Sequence, residues 1–163
     1  MTTIFNHLSF LKIDAYVYKH DRKSLEMVSI GSHSDIEIKK QHYYGRKDVF
    51  EYKSYIENQH AHSSLVFHHG KVLRVLRKKG PLISDSETFN QYRGKGIYPF
   101  TIFSIAKEYI LQKNHPEIFM LVVPTNIPSI KGIEKAGFIR QCRIKTTRFL
   151  GIYFNQQIIR END

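Results

Sequence analysis

Two glycine-containing segments carry residue types suited to binding a phosphorylated ligand. The first, Arg93–Gly96, lies between a predicted strand and a predicted helix. The first N–H groups of a helix have no partners within it and point outward at the positive end of the helix dipole. Because glycine lets the backbone approach closely, such a turn can hold a pyrophosphate between successive N–H groups. Most turns of this kind hold no ligand, so this segment alone does not identify a function.

The second segment follows the next predicted strand and has Asn126 at its start and Glu134-Lys135-Ala136-Gly137-Phe138 at its end. In this order and spacing the two segments resemble the GNAT superfamily of CoA-dependent N-acetyltransferases. The resemblance covers residues 82 to 140 and implies that acetyl-CoA is the cosubstrate. It also implies a set of cofactor-binding residues: Phe89, Arg93, Gly94, Lys95, Gly96, Ile97, Tyr98, Asn126 and Ser129.

The family's phosphate pattern, Arg/Gln-x-x-Gly-x-Gly/Ala, fits this chain in two registers. One begins at Arg93 and places Tyr98 where a small residue is usual. The other begins at Gln91 and uses Gly94 and Gly96. We favour the first from the sequence, because Gly96 then leads directly into the helix. In that register Tyr98 is expected to narrow the site near the phosphates.

The chemistry that the resemblance implies is direct attack of a neutral amine on the thioester within a ternary complex. A base must first remove a proton from the ammonium. Asp85 and Glu87 would share one face of a regular strand and are the candidate bases, although solvated or paired carboxylates fit them equally well. A backbone N–H near Phe89 is expected to hold the oxyanion. Ile133 stands where many family members have a tyrosine that protonates the departing thiolate.

The acceptor carries no motif, so we expect a primary amine of an unidentified small molecule. Arg140, Arg143 and Lys145 favour an anionic one. An alternative is a CoA-binding or interaction module of the same fold without chemistry. A further alternative, suggested by the net charge of +10, is a basic nucleic-acid-binding domain. The sequence contains no recognisable nucleic-acid-binding module, so nucleic acid is not the expected partner.

The histidines and the cysteine do not predict a metal site or a further function. The nine histidines include His60, His62 and the pair at 68–69, but no cysteine or carboxylate completes a zinc site, and no metal is predicted. Cys142, the single cysteine, is expected to be a small buried side chain and fits a reducing compartment. The chain shows neither a signal-peptide pattern at Met1–His7 nor a long apolar run, so we expect a cytoplasmic protein without a membrane span. The oligomeric state is left open.

The remaining sequence predicts one domain over residues 1–163, with 41% hydrophobic residues. Strands are expected at 10–18, at 82–89, at 118–123 and twice within 138–159, with a hairpin of 65–67 and 72–76. Helices are expected at 48–58, 97–112 and 128–135. The resulting fold class is mixed α/β: a twisted, GNAT-like sheet of six to seven strands with helices on both faces.

Overall fold

The computed structural model describes residues 10–31 and 33–160, so the Met1–His7 segment considered above lies outside the described residues. The described chain forms eight strands and three α-helices. The strands are β1 (Leu11–Asp21), β2 (Ile36–Tyr43), β3 (Arg46–Ile56), β4 (Gln59–Phe67), β5 (Leu82–Thr88), β6 (Glu117–Val122), β7 (Ile139–Phe149) and β8 (Ile152–Ile159). The helices are α1 (Arg22–Met27), α2 (Ile97–Lys107) and α3 (Ile127–Lys135).

All eight strands form one sheet in the order β2-β3-β4-β5-β6-β1-β7-β8. Every pair of neighbours is antiparallel except β5 and β6, which are parallel. The expected count of six to seven strands is therefore too low. β2 was not predicted, and β1, the first strand in the described chain, lies between β6 and β7.

The two faces of the sheet are covered differently. On one face, α2 and α3 pack Ile102 and Ile133 into a buried cluster that includes Tyr18 of β1. On the other face, a 3-10 helix at Lys71–Leu76 buries Leu73 against Phe119. Helices thus lie on both faces, as expected, but the second face has only this short 3-10 helix.

The predicted helix at 48–58 is wrong, because these residues form most of β3. Val49 and Tyr52 suggested a helical spacing. However, aromatic and β-branched residues fit the pleated surface of a strand between two others. The second strand of the predicted hairpin is also wrong. Residues 72–76 lie in the 3-10 helix, because β3 and β5 already occupy both edges of β4.

The other predicted elements are confirmed with small changes at their ends, except that the strand predicted at 65–67 begins already at Gln59. The first strand continues to Asp21, whose carboxylate accepts from the Ser24 backbone N–H at 2.9 Å and caps α1. Helix α2 is followed by a π-helical turn at Glu108–Gln112, within the range predicted for one helix. Helix α3 begins after Asn126, and Gly137 follows its end with a φ of +85°.

Gly137 offers a test of this packing. A Cβ at Gly137 would collide with the Val28 side chain and lie 3.2 Å from His20 Nε2. At Gly151, with a similar φ of +81°, a Cβ would meet nothing within 4 Å. We expect Gly151→Ala to lower the free energy of unfolding by about 1 kcal/mol through backbone strain alone. Gly137→Ala should lower it by a further ~1–3 kcal/mol through overpacking. Equal losses in urea denaturation would contradict this packing.

Candidate functional site: a cleft between two parting strands

A cleft opens where β5 and β6 separate. The two strands pair only at Leu82–Phe119 and Ile83–Met120. Just beyond this point the pairing of β5 with β4 shifts register, and Asp85 has a φ of +46°. An extra residue of this kind bends a strand and changes its direction. The cleft has a volume of about 590 Å³. Its lining comes from the end of β5, the glycine turn and the first turns of α2 and α3: Ser86, Glu87, Thr88, Tyr92, Arg93, Gly94, Gly96, Ile97, Tyr98, Pro99, Asn126, Pro128, Ser129, Lys131, Gly132 and Lys135.

The glycine turn at the mouth of α2 uses Gly94 and Gly96. Their φ angles are +77° and +75°, a region that glycine adopts without steric cost. Gly96 caps α2, and Tyr98 already lies in the first helical turn. Gly96 therefore leads directly into the helix, which is the reason for preferring the register that begins at Arg93, and the choice between the two registers stays a prediction. Since Pro99 has no N–H, the first turn presents the amides of Ile97 and Tyr98.

The charge at the cleft is mainly positive. Arg93, Lys131 and Lys135 line it, against Glu87 as the single carboxylate among its lining residues. The Arg93 guanidinium donates from Nε to the Thr88 carbonyl oxygen at 3.0 Å, which holds it beside the turn. Such a cleft favours an anionic ligand. Lys95, also predicted to bind the cofactor, is not among these lining residues, and its ammonium lies 5.3 Å from the centre of the Tyr92 ring.

Tyr98 joins α2 to α3. Its hydroxyl lies 3.1 Å from Ser129 Oγ, and its ring packs against Gly132 so closely that a Cβ there would be 2.5 Å from Cδ1. Burial raises the pKa of Tyr98 to about 12, so the hydroxyl keeps its proton at neutral pH. Asn126 accepts from the Ser129 backbone N–H at 3.2 Å and caps α3. Tyr98, Asn126 and Ser129 therefore shape one wall of the cleft.

Two expectations about catalytic groups are not met in the form we gave them. The Phe89 N–H donates to the Ala61 carbonyl at 3.0 Å, so in this structure that amide is already engaged and does not face an oxyanion. The irregularity at Asp85 interrupts the two-residue alternation from which Asp85 and Glu87 were expected to share a face. Both residues are exposed, and of the two only Glu87 lines the cleft.

A buried polar network that was not predicted from the sequence lies behind the cleft. His62 on β4 is fully buried, with Nδ1 2.7 Å from Thr88 Oγ1 and Nε2 2.8 Å from Ser64 Oγ. Ser64 Oγ is in turn 2.8 Å from Ser86 Oγ. Burial, with a smaller contribution from His60, lowers the pKa of His62 to about 4, so its ring is neutral at pH 7. The pairs His62-x-Ser64 and Ser86-x-Thr88 were the available signal, since alternate residues of a strand share a face.

The basic residues assigned to the acceptor lie on β7, away from this lining. Arg143 makes a bidentate ion pair with Asp14, with N–O distances of 2.7 and 2.8 Å. The Arg140 guanidinium lies 4.7 Å from the centre of the Tyr16 ring. Within residues 10–31 and 33–160, no group of three or more histidine, cysteine or acidic side chains is arranged to hold a metal ion. Over the same residues, no helix has the length and apolar character needed to cross a membrane.

No protein-family model matches this sequence, and no curated protein is similar to it in sequence. Solved structures do resemble it. A GNAT-family acetyltransferase from Colwellia psychrerythraea is 14% identical, with a TM-score of 0.57 over 88% of this chain and 58% of its own. A Drosophila protein is 8% identical, with a TM-score of 0.60 over 88% of this chain and 52% of its own.

A functionally unknown conserved protein from Staphylococcus epidermidis is 11% identical, with a TM-score of 0.52 over 82% of this chain and 60% of its own. This chain thus spans about half to three fifths of the length of these structures. At such identities the likeness is one of fold alone. The eight-stranded mixed sheet with its helices fits the fold of the Colwellia acetyltransferase.

The contact between Tyr98 and Gly132 can be tested, because it predicts that a glycine-to-alanine substitution within a helix lowers stability instead of raising it. Alanine normally stabilises a helix interior by up to about 1 kcal/mol relative to glycine. Here Gly132→Ala should instead lower the free energy of unfolding by about 1–3 kcal/mol, because the new Cβ overlaps the Tyr98 ring.

The control is the same substitution in a Tyr98→Ala background. With the ring removed, Gly132→Ala should become neutral or stabilising, measured by thermal and urea denaturation of all four proteins. The same loss in both backgrounds would show that Tyr98 does not pack on Gly132.

Proposed function

We propose that this protein is an acetyl-CoA-dependent N-acetyltransferase that transfers an acetyl group to a primary amine. The single observation that carries the proposal is the position of the Gly94–Gly96 turn. It places the N-terminus of α2 at a positively charged cleft between two parting strands. The fold likeness to a GNAT acetyltransferase supports the same activity.

The phosphates and the pantetheine arm of CoA have matching features in the cleft. Its pyrophosphate suits the Ile97 and Tyr98 amides, which lack partners inside the helix and lie at the positive end of its dipole. Arg93, Lys131 and Lys135 supply further positive charge for phosphate groups. The pantetheine arm is extended and carries amides, so it can pair with the edge of β5 beyond Ile83, where the pairing with β6 has ended.

The reaction we propose is attack of a neutral amine on the thioester carbonyl. Glu87 is the carboxylate that lines the cleft and is the candidate base, acting directly or through a water. Asp85, exposed at the irregularity of β5, is the weaker candidate. A thiol of pKa about 8.5 is a tolerable leaving group near neutral pH, so the reaction does not depend on a tyrosine at position 133.

A second candidate function is a CoA-binding module of the same fold without chemistry. Ile133 favours it, because that side chain is fully buried in the core and offers no proton to a thiolate. The engaged Phe89 amide favours it as well. Acetyl-CoA binding without release of free CoA, across a panel of amino sugars, polyamines and amino acids, would select this candidate.

For the acceptor we propose a small amine, with nucleic acid and membrane not among the partners. A basic nucleic-acid-binding domain would predict steeply salt-dependent duplex binding that acetyl-CoA does not displace. The single cysteine, Cys142, is buried and agrees with the reducing, cytoplasmic setting that we propose.

Gly94 allows the cofactor site to be tested by charge alone. A Cβ at Gly94 meets nothing within 4 Å, so a side chain there has room beside the phosphates. Gly94→Asp and Gly94→Asn carry side chains of nearly equal size at the same positive φ, and only the first adds a negative charge. We expect Gly94→Asp to raise the Kd for acetyl-CoA by about tenfold or more relative to Gly94→Asn, by isothermal titration at low salt.

The difference between the two variants should shrink at 1 M salt, where charges are screened within about 3 Å. Equal affinities of the Asp and Asn variants for acetyl-CoA would show that the CoA phosphates do not bind at this turn. No binding by the folded wild-type protein at millimolar acetyl-CoA would overturn the proposed function.

A further inference from the structure

Four side chains at the cleft wall form a continuous chain of hydrogen-bonding groups. The two end residues of this chain line the cleft, and the two middle residues are buried behind it. Thr88 Oγ1 lies 2.7 Å from His62 Nδ1, His62 Nε2 lies 2.8 Å from Ser64 Oγ, and Ser64 Oγ lies 2.8 Å from Ser86 Oγ. Ser86 and Thr88 line the cleft, whereas His62 and Ser64 are fully buried. His62 can therefore act on a ligand only through the two hydroxyls.

Every member of this chain can donate one proton and accept another. A neutral imidazole has one donor nitrogen and one acceptor nitrogen, and a hydroxyl is both donor and acceptor. Burial keeps the His62 ring neutral at pH 7. If each proton moves along one hydrogen bond, a proton enters at one cleft hydroxyl and another leaves at the other. All four groups stay uncharged, and His62 changes tautomer.

A relay of this kind can serve the acetyl transfer proposed above. When the amine attacks, its nitrogen must lose a proton while the departing sulfur gains one. Ile133 cannot serve the sulfur, since it is an apolar side chain in the core. Ser86 and Thr88 are two residues apart on β5, so their backbones are separated by about 7 Å. When a thioester lies along this strand, one hydroxyl can therefore face the nitrogen of the attacking amine and the other hydroxyl can face the thioester sulfur.

We propose that Thr88, His62, Ser64 and Ser86 form a proton relay that serves the acetyl transfer; the inference rests on the proposed function. The amine nitrogen forms a bond to the thioester carbonyl carbon, and the carbon–sulfur bond breaks with its electron pair going to sulfur. Glu87 first takes the proton of the ammonium form, the attacking nitrogen then gives its second proton to one cleft hydroxyl, and the other hydroxyl gives its proton to the sulfur. The products are the amide and the free thiol of CoA. In this scheme His62 is a positioning residue that connects the two hydroxyls.

His62→Gln is the first test, because a carboxamide can donate and accept hydrogen bonds but cannot pass a proton between its ends. The assay follows CoA thiol release from acetyl-CoA with the fastest amine of the panel. We expect kcat to fall by about a hundredfold, while the KM for acetyl-CoA stays within about twofold of wild type. The solvent deuterium isotope effect on kcat should change as well.

The matched control is His60→Gln. The His60 ring contacts Ser63 Oγ at 2.9 Å and the His62 carbonyl oxygen at 3.1 Å, outside the relay. This variant should keep kcat and the isotope effect within about twofold of wild type, far from the loss expected for a general acid–base group.

Thr88 provides a second pair of variants that does not depend on His62→Gln folding. Thr88→Val removes the hydroxyl and should lower kcat as His62→Gln does, whereas Thr88→Ser restores the hydroxyl and should restore kcat. An unchanged kcat in His62→Gln, or equal rates for the two Thr88 variants, would overturn the relay and leave the acetyl transfer standing. A wild-type protein that binds acetyl-CoA but transfers to no amine would overturn the relay and the chemistry together, leaving only cofactor binding.

Discussion

The separation of β5 from β6 is the constraint on which the candidate site depends. Two strands that pair at only two positions leave backbone groups without a sheet partner beyond that point, and buried groups of this kind must find another one. Each strand is held in place by its other neighbour, β5 by β4 and β6 by β1. The cleft is therefore built into a rigid sheet. The glycine turn and both helix N-termini then meet at its open end.

The sequence indicated the glycine turn and the helix cap of this site well and its interior poorly. Gly94, Gly96 and Asn126 have strong local signals, since positive φ angles and helix caps are determined within a few residues. The choice between the registers at Gln91 and Arg93 is harder, because both place Gly96 directly before the helix. The link between His62 and Thr88 depends on the pairing of two strands, and no single segment contains that information.

The wrong secondary-structure predictions also arise because distant parts of the chain determine the outcome. Residues 48–58 and 72–76 have compositions that suit more than one structure, and the tertiary environment decides between them. β3 is a strand because β2 and β4 flank it, and the first of these was not predicted. Residues 72–76 form a 3-10 helix because no sheet edge is available to them. By contrast, β6 is a short apolar run between polar segments and was predicted almost to the residue.

The central position of β1 has a consequence for how the chain folds during synthesis. β1 emerges early, yet both of its partners, β6 and β7, come from the last third of the described chain. Tyr18, for example, donates to Glu134, which is 116 residues away. Contacts at such separations slow folding, because the entropy of closing a long loop must be overcome first. β1 therefore leaves the ribosome well before either of its strand partners, and until they emerge its edges are open to aggregation or chaperone capture.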